Sequence, residues 1–165
     1  MAFALQNQPR FRKKGSFRKT KAMVLIMTNK RYLGVDYGEA RTGIAVSDPT
    51  GFMARGVGTI RTRRIEVLLE QIDAYAKEFD VAAIIVGNPI NMNGTRGEKS
   101  EKASALAELI KETTGREVVL YDERCTTMLA HRILNETDTR GGKRKAVVDT
   151  LSAEIILQNY IDSKK

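Results

Sequence analysis

The chain has 165 residues, 42% hydrophobic and 29% charged, enough for one ordinary globular core and too little for two. One cysteine, Cys125, excludes an internal disulfide and fits a reducing cytoplasm, and no apolar run approaches the roughly 20 residues that span a membrane. The formal charge of +8 points toward nucleic acid, but seven of the 28 basic residues (Arg10, Arg12, Lys13, Lys14, Arg18, Lys19, Lys21) crowd into residues 1–26, which hold no acid, leaving 21 basic against 20 acidic elsewhere.

The basic charge is therefore a property of the first segment and not of the folded body. Residues 1–30 are polar and without periodicity, which reads as a disordered basic extension. Its apolar patch, Ala22 to Met27, is too short for a signal-peptide core. Three readings of it stand open: an arm adding non-specific phosphate affinity, an extension upstream of Met27, which would itself begin a compact chain, or a solubilising tail.

From residue 31 to 165 the pattern reads as one domain. Tyr32 to Asp36 is a buried strand and Thr42 to Ser47 a second, joined by a Gly-Glu-Ala-Arg turn. Gly56 to Ile60 is a short third strand. Ile65, Leu68, Leu69, Ile72, Ala76 and Phe79 recur at helical spacing and predict a helix over 63–79. Val81 to Val86 is a continuous apolar run, the mark of a strand covered on both faces, and an Asn- and Gly-rich loop follows. A helix over 98–114, a strand over 117–121, a short helix from Thr126-Thr127 to about Glu136 and a last helix over 144–162 complete the order. Three strands followed by alternating helix and strand predict an α/β fold, a mixed five-stranded sheet with helices on both faces.

Ligands of open α/β sheets bind beyond the carboxyl ends of the strands. Asp36 closes the first strand and Glu123 lies just past the last; both stand at one edge if those strands are parallel. Asp149 has Ala146, Ala153 and Ile156 at helical spacing, which turns it toward the sheet. An aspartate before Tyr37-Gly38 also suits a plain turn. Three converging carboxylates, however, repel by on the order of 4 kcal/mol per pair at an effective dielectric near 20, and a divalent cation removes that cost. Oxygen-only ligands suit Mg²⁺ or Mn²⁺, and three carboxylates with open positions suit two-metal phosphodiester hydrolysis. Cys125 and His131 read as structural, since no third group completes a thiol mechanism. Lys143, Arg144 and Lys145 form a basic run shortly before Asp149 that either faces solvent or contacts a bound strand.

Four blocks in order, GVDYGEARTGIAVSD (34–48), IIVGNPINMNGT (84–95), YDERCTT (121–127) and GGKRKAVVDTLSAEIIL (141–157), resemble the bacterial YqgF family, Holliday junction resolvases and nucleases that mature the 16S ribosomal RNA precursor. The resemblance implies a ribonuclease H-like fold and makes Asp36, Glu123 and Asp149 the catalytic, metal-binding set. It adds Gly38, the loop from Asn91 through Asn93 to Thr95, Arg124, Lys143 and Arg144 as candidates for shaping the site or holding nucleic acid. Ser152 departs from related junction resolvases, which often carry another acid one turn into the last helix. The implied function is metal-dependent trimming of precursor ribosomal RNA by a cytoplasmic monomer or homodimer. The alternative is resolution of branched DNA, which needs a symmetric dimer. Two further classes compete. An actin-like or sugar-kinase-like phosphotransferase also begins on an Asp-x-Gly turn but needs two such domains. A non-catalytic nucleic-acid module would bind without metal, and the aromatic content of 6% argues against one built on base stacking.

Overall fold

The computed structural model describes residues 31–122 and 142–165, the latter with side chains from Ala146 onward. Expectations for residues 1–30 and for Glu123, Arg124, Cys125, His131 and the helix after Thr126 lie outside these residues, as do the side chains of Lys143 and Arg144.

Five strands, β1 (Tyr32–Asp36), β2 (Arg41–Ser47), β3 (Ala54–Arg61), β4 (Ala83–Asn88) and β5 (Glu117–Asp122), form one sheet in the order β3-β2-β1-β4-β5. The two hairpin steps are antiparallel, while β4 and β5 run parallel to β1. The helices are α1 (Ile65–Glu78), α2 (Glu98–Thr114) and α3 (Gly142–Asp162). The expected mixed sheet with helices on both faces is what forms.

Alternation along each strand divides the core in two. Leu33, Val35, Ile44, Val46, Ile84 and Val86 face α1 and α2, against Leu68, Ile72, Leu106 and Ile110. Ala45 and Ile85 face α3, against Ala153, Ile156, Leu157 and Tyr160.

Two strands differ from expectation. The fourth runs Ala83–Asn88 instead of Val81 to Val86. Val81 is buried, but its N–H donates to Ala76 O at 3.1 Å and closes the end of α1, with Asp80 at φ 47°. The ladder begins only at Ala83, opposite Tyr32 and Glu117, and continues through Gly87 and Asn88 because β5 keeps pairing to Asp122. The third strand extends to Ala54–Arg61, since it pairs with all of β2 despite its glycines.

Helix α3 lies on the sheet backbone to backbone. A Cβ at Gly43 would stand 1.9 Å from Asp149 O, one at Gly34 2.8 Å from Leu157 Cβ, and one at Gly56 2.5 Å from Thr150 Cγ2. Glycines on three adjacent strands thus floor the helix. Polar contacts fix its direction: Gly56 N–H donates to Glu154 Oε2 at 2.9 Å, Ala54 N–H to Gln158 Oε1 at 2.8 Å, and Thr59 Oγ1 to Ala146 O at 2.9 Å. No helix among the described residues is long and apolar enough to cross a membrane.

Candidate active site

Strand parity carries Asp36 to the face under α3, since Val35 before it points into the opposite core. Its cross-strand partner is Gly43, the residue on which the Asp149 carbonyl rests. The sheet register and the glycine contact therefore bring Asp36 and Asp149 together from positions 113 residues apart in the sequence. The pairing has an electrostatic signature. Burial, reinforced by the charge of Asp149 and opposed by Lys99, pushes the Asp36 carboxyl up to about 7.

Asp149 lies against the sheet at Gly43, as helical spacing suggests, but it is not fully buried. Its side chain is 22% exposed, and Arg41 Nε donates to Oδ2 at 2.9 Å. Arg41 escaped the sequence reading as part of a turn. Its signal is period two: Arg41 shares a strand face with Gly43 and Ala45, the face that α3 covers.

Past the end of β1, Tyr37, Gly38 and Glu39 line a cavity of about 300 Å³ with Lys99 and Lys102 of α2. Glu39 is ion-paired to Lys102, which also holds Glu98 Oε1 at 2.7 Å. The start of α2 is anchored by Ser100, whose Oγ donates to Asn88 Oδ1 at 2.7 Å with both residues buried. Lys99, an exposed residue of a charged helix turn, gave no sequence signal.

The loop between β4 and α2 leaves the same sheet edge. Asn91 Nδ2 donates to Thr95 Oγ1 at 3.0 Å, while Asn93 Oδ1 accepts from Thr95 N at 3.0 Å and from Thr95 Oγ1 at 2.6 Å. Gly94, at φ 81°, supplies the left-handed turn. Asn91, Asn93 and Thr95 thus spend much of their bonding capacity on each other and hold the loop in shape. Asp36 and Asp149 are brought together; Glu123 and Arg124 lie outside the described residues, among which no group of three or more His, Cys, Asp or Glu could hold a metal ion. A larger cleft of about 460 Å³ between β3 and α3 offers only one carboxylate, Glu154, already occupied by the Gly56 N–H.

Two antiparallel steps leading into parallel strands, with an aspartate at the end of the first, define a ribonuclease H-like fold. RuvC of Thermus thermophilus, solved with a Holliday junction substrate, superposes with a TM-score of 0.52 at 16% identity, over 82% of this chain and 95% of that one. The fowlpox virus Holliday junction resolvase gives 0.50 at 10% identity, over 82% and 99%. The chain belongs to the RuvX family, described as Holliday junction resolvase, which matches residues 30–163. Among curated relatives, a Clostridium botulinum (strain Hall) protein is 45% identical over 133 residues, 81% of this chain and 97% of its own length. One from Ruminiclostridium cellulolyticum is 39% identical over 133 residues, 80% and 94%. Both carry the provisional name pre-16S rRNA nuclease.

Proposed function

We propose that the chain is a divalent-metal-dependent nuclease that hydrolyses phosphodiester bonds at the end of precursor 16S ribosomal RNA in the cytoplasm. The observation that carries the reading is the juxtaposition of Asp36 and Asp149 at the carboxyl edge of the parallel strands, where burial, reinforced by the charge of Asp149, raises the Asp36 carboxyl. The relatives' names support the RNA substrate.

The donor chemistry fits a hard divalent cation such as Mg²⁺ or Mn²⁺, held by Asp36 and Asp149. Glu123 is the third proposed ligand. Its support is that Asp122, the residue before it, pairs with Asn88 at the same edge, two strands and so about 10 Å from β1. When bound, the metal supplies a Lewis acid for a phosphoryl oxygen and a water of lowered pKa. Asp36 gives up its carboxyl proton to take on the ion, so loading is favoured as pH rises toward 7. Arg41 fixes the Asp149 carboxylate through Oδ2 and leaves Oδ1 free to coordinate. The loop held by Asn91, Asn93 and Thr95 borders the path of the strand, and Arg124, Lys143 and Arg144 are proposed to contact its phosphates.

Cleavage of a 16S precursor fragment and of a four-way DNA junction, compared with Mn²⁺ and with chelator, tests the reading. Trimming of the RNA that needs Mn²⁺ is the expected result. Paired symmetric cuts in the junction alone would move the function to junction resolution, the activity in the family's description. Binding of both without cleavage would make the chain a non-catalytic module.

Deleting residues 1–26 is expected to leave the cleavage rate at saturating RNA unchanged and to weaken binding only at low salt, where seven added positive charges count. Titrations of the truncated and full chains in low and physiological salt check this.

A further inference from the structure

Two lysines line the cavity beside Tyr37 and Gly38, and their electrostatic situations differ. Lys102 is committed, held between Glu39 and Glu98. Lys99 makes no hydrogen bond or ion pair among the described residues, yet it stands close enough to Asp36 and Glu39 to favour the charged form of both. Its backbone position is fixed, because the next residue, Ser100, is tied to Asn88 at the end of β4. The result is an ammonium without a hydrogen-bonded or ion-paired partner among the described residues, lining a cavity that begins one residue past Asp36.

An ammonium so placed is suited to a second anion in addition to the Asp36 carboxylate. Glu39 is engaged by Lys102 and makes no ion pair with Lys99. The volume of about 300 Å³ is at the lower end of small-ligand sites. Resting on the nuclease reading above, we propose that Lys99 binds a phosphate of the nucleic-acid strand adjacent to the one cleaved, in the cavity formed with Tyr37, Gly38, Glu39 and Lys102. Lys99 is then a substrate-binding residue that sets where the strand lies over the carboxylates. The contact is to phosphate oxygen, so it carries affinity and register without base preference.

Equilibrium binding by the full chain under chelator, where no cleavage occurs, separates this contact from the chemistry. The probes are a labelled single-stranded RNA from the 16S precursor end and a four-way DNA junction, each titrated over a range of salt. Lys99→Gln is expected to weaken binding several-fold at low salt and to reduce the slope of log affinity against log salt by about one for both probes. Lys99→Arg should restore the slope. Lys111→Gln, an exposed charge in the last turn of the same helix, should leave it unchanged. An unaltered slope in Lys99→Gln overturns the proposal, as does a loss confined to RNA, which would mean a ribose contact. If that variant also keeps metal-dependent cleavage, the nuclease reading survives alone. If the wild-type chain neither binds nor cleaves either probe, both readings fall together.

Discussion

Asp36→Asn is expected to abolish metal-dependent cleavage, by at least about a thousandfold, while making the metal-free protein more stable at neutral pH. The two effects have one cause. The folded protein holds the Asp36 carboxyl at about 7, against an ordinary value of 3.8, because burial disfavours its ionised form and the charge of Asp149 adds to that. Between those two values the folded state binds more protons than the unfolded one, so this group makes stability fall as pH rises from about 4 to about 7 and level off above. Asparagine removes the ionisation and with it that slope. Denaturant titrations with chelator from pH 4 to 8 should show the variant gaining on the wild type across this window. Saturating Mn²⁺ should reverse the order at pH 8, because only the wild type gains binding energy from the ion. A variant that cleaves normally would remove Asp36 from the site. One that tracks the wild type at every pH would show that the Asp36 carboxyl is not raised in the folded protein.

Gly43→Ala should be the most damaging small substitution in the described residues. Its Cβ would lie 1.9 Å from Asp149 O and 2.4 Å from the attached carbon, both main-chain atoms that no rotamer change can move. Either α3 lifts off the sheet or β2 bends, and a loss above about 4 kcal/mol is expected from such a clash in a core contact. Gly58→Ala is the matched control on the neighbouring strand: nothing lies within 4 Å of a Cβ there, and a change within about 0.5 kcal/mol is expected. Urea denaturation of the two variants side by side checks the contrast. Equal stabilities would mean that α3 does not rest on β2 as described.

The candidate site was legible where one residue's chemistry broke a strong local pattern. Asp36 ends an apolar strand, and Asp149 interrupts an apolar helix face, so both stood out against their neighbours. Arg41 did not, because an arginine beside Gly-Glu-Ala reads as turn; only its parity with Gly43 and Ala45 assigns it to the α3 face, and parity is countable only once the strand's start is known. Lys99 was invisible, since what distinguishes it from Lys102 is which carboxylates lie nearby in space. The fold followed a similar rule. Helix α2 spans the expected 98–114, where charged and apolar positions alternate cleanly. The fourth strand slipped by two residues because Val81 satisfies an apolar pattern equally well as the plug of a helix end. The third, expected over Gly56 to Ile60, runs from Ala54 to Arg61 because it pairs with all of β2, and Gly56 within it admits the helix.

The glycine floor beneath α3 fixes how the two proposed ligands' backbones meet. Most distances between catalytic groups are set by stacks of side chains, and drift when those side chains are exchanged. Here main chain rests on main chain where Gly43, the cross-strand partner of Asp36, meets Asp149, with no side chain between them. Leucines, isoleucines and valines on the far face of the sheet lie outside that contact. The geometry of the pair has in effect one point of failure, and it is a glycine and not an acid.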